Sequence, residues 1–283
     1  MSMIKKNNLL SVLIFLTFTG LCNVQDSPTR AITQITGDLY RFQNNAHYSV
    51  FLVTSEGIIA TDPINEDAAK WLKSELKRRF DKPVKYLVYS HDHGDHIGGG
   101  QIFAGEAIVV SHELTKAKII SQSRPTAIPE VTFTDRMTIE LGGKKVELIY
   151  PGKCHSDNSI IIYFPYEKTV FAVDFVSVDR LPYRDLNDSY VPDWIEALKR
   201  VEAIDFEILA PGHGSLGTRR DAVEHRHYLE ELYNAVLAAK EEGKTLDAMK
   251  KSIKMEKYKD FGQYEAWLGL NIEGMYRMIS TKK

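Results

Sequence analysis

Three histidines and two aspartates fall within six consecutive residues, His91-Asp92-His93-Gly94-Asp95-His96. Imidazole nitrogen and carboxylate oxygen suit zinc, iron or manganese. A tight loop cannot aim all six residues at one ion. The natural division is two ions, with His91 and His93 on one and Asp95 and His96 on the other. The run Val84–Tyr89 before the motif reads as a buried strand, so the motif sits in the loop at its C-terminal end. Rigid elements commonly carry sites on such loops. Gly94 and Gly98–Gly100 are expected to allow sharp turns and close packing. Asp92 is expected either to hold an imidazole N–H or to be a solvated loop carboxylate.

Further ligand types stand at the ends of other strand-like runs. His155 follows a run ending at Tyr150, in Pro151-Gly152-Lys153-Cys154-His155-Ser156-Asp157. Asp174 ends the apolar run Val170-Phe171-Ala172-Val173. His213 follows a run ending at Ala210, in Pro211-Gly212-His213-Gly214. Together these are more donors than one four-coordinate zinc can use.

The rest of the chain supplies a frame. Short β-branched or aromatic runs open it at Ile32–Ile35, Leu39–Phe42, Ser49–Thr54 and Gly57–Thr61, broken by Gly-Asp and Glu-Gly turns. Ala69, Leu72, Leu76 and Phe80 have helical spacing. Further strands are expected at Ala107–Val110, Val131–Thr134, Met137–Leu141, Lys145–Tyr150, Ser159–Phe164, Lys168–Val173 and Phe206–Ala210. Helices are expected at Glu113–Ile120, after a cap at Asp193, from about Thr218 to Glu242, near Leu246–Ile253 and at Tyr264–Ile279. Strand-rich segments come first and a helix last in each half, with no linker between. That pattern reads as one domain of two packed sheets with helices outside.

Composition excludes several classes of function. With 43% hydrophobic residues the chain is not disordered. A formal charge of −2 provides no basic field, so no nucleic-acid partner is expected. Lys5-Lys6 followed by an apolar run from Leu9 to Leu21 reads as a signal peptide over residues 1–22. That run is short of the ~20 residues of a membrane span. Cleavage after Cys22 would leave residues 23–283, a charge of −4 and Cys154 as the lone thiol. A periplasmic or secreted protein without a stable membrane anchor is expected, its partner a small-molecule substrate.

In their order and intervals, His91-x-His93-x-Asp95-His96, His155, Asp174 and Gly212-His213 resemble the metallo-β-lactamase fold superfamily, over essentially all of residues 23–283. The resemblance implies an α/β fold, an αβ/βα four-layer sandwich with a dinuclear site in the cleft between the halves. It puts His91, His93 and His155 on the first ion, Asp95, His96 and His213 on the second, and Asp174 between both. Two Zn2+ ions are implied, with Mn2+ or Fe as the other metals. Such a pair lowers the pKa of a water from ~15.7 toward ~7, and the hydroxide then attacks a carbonyl or phosphoryl centre. Asp95 and Asp174 are the expected catalytic carboxylates. The expected activity is hydrolysis of an amide, lactone or ester, β-lactams included. A non-haem iron oxidoreductase and a non-catalytic metal-binding module are the alternatives.

The chain departs from the zinc β-lactamases at Asp174, where one large group has a Cys ligand and, three residues on, a Lys that holds the drug's carboxylate. Here the residue three on is Ser177. Arg180 or Arg184 is expected to hold an anionic group instead. Both lie in the segment Asp179–Pro192, read as a substrate loop with Tyr183. Other singled-out residues have plainer readings. Cys154 reads as a buried small hydrophobe, His225 and His227 as surface or packing residues, and Tyr264, Trp267, Leu268 and Met275 as core. His47 lies in a hairpin, Gln43–Tyr48, that reads equally as a flap over the cleft or a plain turn.

Overall fold

The computed structural model describes residues 27–281, so the expected signal segment 1–22 lies outside the described residues. Seven strands form the first sheet: β1 (Arg30–Thr36), β2 (Leu39–Asn44), β3 (His47–Val53), β4 (Ile58–Thr61), β5 (Val84–Val88), β6 (Ile108–His112) and β7 (Val131–Phe133), in that order across it. The first four pair antiparallel and β4 to β7 are parallel. Parallel neighbours need a crossover. The crossovers carry α1 (Glu66–Phe80), α2 (Gly94–Ile97) and α3 (Glu113–Ser121). The second sheet runs β12-β11-β10-β9-β8, from β8 (Arg136–Leu141), β9 (Lys144–Ile149), β10 (Ile161–Phe164), β11 (Thr169–Ala172) and β12 (Ile208–Ala210). Only β11 and β12 are parallel there, joined through α4 (Asp193–Glu202). Helices α5 (Arg219–Glu241), α6 (Leu246–Ser252) and α7 (Tyr264–Ser280) complete the described chain.

Strand side chains alternate between faces, and in inner strands such as β3, β4, β10 and β11 both faces are buried. In β3, Val50 and Leu52 join the layer between the sheets, while Phe51 joins the layer under α1. In β10, Ile162 and Phe164 face the other sheet, and Ile161 packs in the layer with Trp194, Leu229 and Ile272 of α4, α5 and α7. Helix, sheet, sheet and helix thus stack with an apolar layer at each junction, the αβ/βα sandwich that the sequence implied. Double burial is why these strands read as continuous apolar runs rather than as alternation.

Local signals set the helix ends. The Asn65 side chain accepts the Ala68 N–H at 2.9 Å, Glu66 and Asp67 lie in the first turn of α1, and Lys77, Arg78 and Arg79 in its last. Leu72 and Leu76 are buried on its inner face; burying a leucine stabilises by ~1.5–3 kcal/mol. The Asp221 carboxylate accepts the Thr218 N–H at 2.7 Å and starts α5 where expected. Asp193 does not cap α4. It is the first helical residue, Pro192 holds the cap position without a side-chain bond, and Asp193 instead places its charge at the positive helix end.

The sheets meet at the edge where β5, β11 and β12 end. Ile160 N–H donates to Ser90 O at 2.9 Å, and Tyr48 N–H donates to Gly212 O at 2.8 Å. These bonds fix the loops after β5 and β12 against the opposite sheet. Among the described residues, no helix is long and apolar enough to cross a membrane.

Candidate metal centre

The seven expected ligand residues converge at this edge. His91 and His93 lie between β5 and α2, and α2 carries Asp95 and His96. His155, Asp174 and His213 follow β9, β11 and β12. Donor atoms of His91, His93, His155 and Asp174 lie within 4.8 Å of one another, and so do those of His96, Asp174 and His213. Asp174 belongs to both groups. Its Oδ2 is 3.2 Å from His96 Nε2, 3.6 Å from His91 Nε2 and 3.8 Å from His155 Nε2, while Oδ1 is 3.4 Å from His213 Nε2. Asp95 Oδ2 is 3.7 Å from His96 Nε2 and 3.9 Å from His213 Nε2, beside the second group.

Asp174 reaches this position through a strained backbone. Its φ is +64°, and Phe175 N–H closes a three-residue turn onto Val173 O at 2.7 Å. A non-glycine residue there costs ~1–3 kcal/mol and persists only where its surroundings enforce it. Val173 and Phe175, both buried, hold the turn on either side. In the motif's own turn, a Cβ on Gly99 would meet the Asn65 backbone at 2.6 Å, so close packing requires glycine there. Gly94 has no such neighbour, and the expectation of close packing fails at that residue.

Electrostatics prepare most of these side chains for a cation; at His96 burial is outweighed by Asp174 and Asp62, which raise its pKa well above the ordinary value, so a metal there would displace a proton. Burial, reinforced by His93 and His96, drives the His91 pKa well below its ordinary value. Burial pushes His155 down to about 4 and lowers His213. These imidazoles are therefore neutral near pH 7 and keep a lone pair to donate. Burial opposes ionisation of Asp174, but His96 and then His155 and His213 outweigh it and hold the carboxyl well below the usual range. His91 Nε2, His96 Nε2 and Asp174 Oδ1 are buried without a hydrogen-bond partner. An orphaned buried polar atom costs ~1–3 kcal/mol, and a divalent cation would satisfy all three. The donor set fits a metal.

The structure adds Asp62, to which the sequence alone does not point. It is fully buried after β4, with φ +28°. Its Oδ1 accepts the Ser90 N–H at 2.8 Å, and its Oδ2 accepts the Ser90 hydroxyl at 2.6 Å and lies 3.5 Å from His96 Nδ1. Ser90 Oγ is 2.9 Å from His91 Nδ1. Because the hydroxyl proton goes to Asp62, His91 Nδ1–H donates to Ser90 and Nε2 keeps the lone pair. A carboxylate at the end of an apolar run, Gly57–Thr61, is the one signal that could have found it. Asp62→Ala is expected to weaken metal affinity by ~10–100-fold, measured by chelator competition; parental affinity would refute this orienting role.

Other placements sort the remaining expectations. The β2–β3 hairpin leans over the cleft. His47 Nε2 is 3.2 Å from Asp95 Oδ2, and His213 Nδ1–H donates to Ala46 O at 2.9 Å. Asp92 neither holds an imidazole nor meets solvent. It is buried, accepting from Arg124 Nη2 at 2.9 Å and Asn158 Nδ2 at 2.8 Å. Cys154 is buried and its thiol pushed up to about 12, the inert environment expected. His225 is buried in α5 beside Trp194. A cleft of ≈490 Å³ opens over the cluster, with Ser177, Arg180, Tyr183 and Trp267 in its wall. Trp267 thus only borders the core, whereas Tyr264, Leu268 and Met275 belong to it. Arg184 is exposed and outside this lining, its guanidinium 5.3 Å from the Tyr183 ring centre.

Two mixed sheets inside helices, with a His/Asp cluster at the strand ends, define a class, and comparison with known proteins agrees. The chain belongs to the metallo-beta-lactamase superfamily, whose family model matches residues 60–213. That span contains all seven ligand-type residues and ends before α5. The chain is 27% identical over 242 residues to the 2,4-dinitroanisole O-demethylase subunit alpha of Nocardioides sp. (strain JS1661), covering 84% of this chain and 71% of that protein. It is 28% identical over 204 residues to the metallo-beta-lactamase type 2 of Elizabethkingia meningoseptica, covering 68% and 81%. A solved metallo-beta-lactamase from Pontibacter korlensis superposes with a TM-score of 0.65 at 23% identity, over 71% of this chain and 99% of that one, and shows the shared fold. Superfamily members are mostly hydrolases and the superfamily is dinuclear, a pattern consistent with the two donor groups found here.

Proposed function

We propose that this chain is an exported dinuclear zinc hydrolase that opens an amide, lactone or ester bond, β-lactams among the candidate substrates. The observation that carries this reading is the position of Asp174, one carboxylate shared by two groups of imidazoles, of which His91 Nε2 and His96 Nε2 are buried without a hydrogen-bond partner. His91, His93 and His155 would hold one ion, Asp95, His96 and His213 the other, with Asp174 touching both. Two divalent ions there would supply Lewis acidity and a water activated near neutral pH. The chain's own residues do the rest. Asp62 and Ser90 fix the His91 tautomer. Asp95, with side-chain exposure of 52%, faces the cleft where it can orient a nucleophile, and His47 holds its Oδ2. The β2–β3 hairpin contributes Ala46 and His47 to the cleft wall.

The test is a panel of β-lactams, acyl-homoserine lactones, thioesters and phosphodiesters, run with zinc and with manganese. Turnover of an acyl substrate that chelation abolishes and zinc restores is expected. Inactivity across the panel, or iron and an oxidative reaction in protein purified without added metal, would overturn the reading. The matched O-demethylase subunit supplies a second class for the panel, aryl methyl ethers. Export rests on the Lys5-Lys6 pair and the apolar run after it. Mass spectrometry of protein from its native envelope is expected to find a chain starting near Asn23, and an intact Met1 terminus would refute cleavage.

A further inference from the structure

The wall opposite the β2–β3 hairpin comes from two distant segments. The loop after Asp174 contributes Arg180 and Tyr183, and α7 contributes Trp267. Only the first of these segments lies within the residues matched by the family. The loop is anchored from behind. Gly262 N–H donates to Asp179 O at 2.8 Å, and Leu181 N–H donates to Gly262 O at 3.1 Å, fixing Arg180 between them. Asn271, fully buried in α7, donates to Pro182 O at 3.0 Å and to Arg184 O, and is itself oriented by Tyr228 Oη–H at 2.7 Å. Arg277 reaches Asp185. A wall held this way loses little freedom on binding a ligand, which favours affinity.

What this wall presents is an unpaired cation on an aromatic ring. The Arg180 guanidinium carbon lies 5.4 Å from the centre of the Trp267 ring, and Tyr183 meets the same ring edge-on at 5.2 Å. Arg180 is half-buried, yet its side chain makes no hydrogen bond or ion pair with any described residue. Two other arginines of this half are paired, Arg226 with Glu202 and Glu230 and Arg277 with Asp185; Arg184 lacks such a partner too but is exposed to water, whereas Arg180 is half-buried. Of the acidic groups lining the cleft, Asp185 is taken by Arg277, Asp188 stands at the exposed rim, and Asp95 and Asp174 lie in the histidine cluster. Tyr183 lines the same cleft and is 56% exposed, a large ring left largely uncovered.

We propose that Arg180 and Trp267 form a recognition site for substrates that carry a carboxylate-like anion and a flat apolar ring next to the bond cleaved. This rests on the hydrolase reading and names its substrate class. The guanidinium offers a planar fork that pairs a carboxylate through two hydrogen bonds. The Trp267 and Tyr183 rings offer offset or edge-to-face packing to the substrate ring. Arg180 selects the anion and Trp267 selects the ring, so the two selections separate by mutation.

The test uses zinc-loaded full chain and three probes, phenylacetate, phenylacetamide and acetate, titrated by calorimetry. The parent is expected to bind phenylacetate at least tenfold more tightly than either of the others. Arg180→Met, which keeps an apolar stem over Trp267, is expected to lose about ten- to a hundred-fold for phenylacetate and to leave phenylacetamide unchanged. Trp267→Leu is expected to weaken phenylacetate and phenylacetamide alike by about three- to tenfold and to spare acetate. Zinc content and thermal midpoint are read for each variant, so a misfolded variant is recognised. If Arg180→Met fails to hold zinc, Arg180→Lys serves as the second variant, expected to keep the charge but lose the fork and so part of the preference. A carboxylate preference that survives intact in a folded, zinc-loaded Arg180→Met places the anion on the metals and overturns the proposal. Absence of any phenylacetate preference in the parent also overturns it. These readouts need no turnover, so inactivity on the hydrolase panel, with the binding preferences intact, would remove the hydrolase reading alone.

Discussion

Asp174→Ala is expected to reduce bound metal from two ions per chain to one or fewer and to lower turnover by at least ~100-fold. Residues that merely orient ligands cost ~10–100-fold when lost, and Asp174 lies inside the cluster itself. Its two oxygens face four imidazole nitrogens at 3.2–3.8 Å, so no neighbour can replace it without moving. Removing the carboxylate also leaves His96, whose pKa Asp174 and Asp62 raise well above its ordinary value against the cost of burial, with less negative charge around it. Asp174→Asn separates size from charge. It fills the same volume and keeps one acceptor oxygen, but it cannot present two anionic oxygens to two cations. Elemental analysis after exhaustive dialysis, with turnover on the best panel substrate, gives the answer. Two ions per chain and parental turnover in Asp174→Ala would refute the shared-ligand role.

What is legible in the sequence follows from the range over which each feature is determined. Candidate ligands are marked by residue type at the end of a strand, which is local information. The six-residue motif, His155, Asp174 and His213 therefore stand out from the sequence alone. The four-layer arrangement is readable for a related reason, since strands buried on both faces leave continuous apolar runs. Asp92 misleads because its partners, Arg124 and Asn158, lie 32 and 66 residues away. Nothing near Asp92 signals them. Trp267 reads as core because Tyr264 and Leu268, one helical turn apart, do face inward. A helix stripe has an edge, and the residue there faces whatever lies beside the helix, here the cleft. Arg180 and Arg184 cannot be separated by sequence. Asp179 and Arg184 have φ of +47° and Leu186 +54°; conformations that L-residues rarely adopt are not readable from composition, and they decide which guanidinium enters the cleft.

Gly212→Ala is expected to cost the second ion while leaving the fold in place. A Cβ at this position would lie 2.6 Å from Val173 Cγ1, 2.9 Å from His96 Cε1 and 3.3 Å from Asp174 Oδ1. None of these neighbours is a flexible surface tip. Val173 and His96 are buried, and His96 is wedged against the His91 ring at 4.9 Å. The backbone of Pro211–His213 must therefore retreat. That movement strains the Tyr48 N–H bond to Gly212 O and the Arg41 Nη2 bonds to Pro211 O and Gly214 O, at 3.1 and 2.7 Å. Overpacking of this kind costs ~1–3 kcal/mol, a fall in Tm of a few degrees for a chain of this size. The larger effect falls on His213, which moves with its neighbour and away from His96 and Asp174. A displacement of ~1 Å at a reacting centre costs ~100-fold in rate, so turnover should fall by about that factor with one ion retained near His91, His93 and His155. Thermal melting, metal content and turnover together distinguish this from simple unfolding. If Gly212→Ala keeps two ions and full turnover, the close approach of Gly212 to His96 and Asp174 is not what holds the second donor group together.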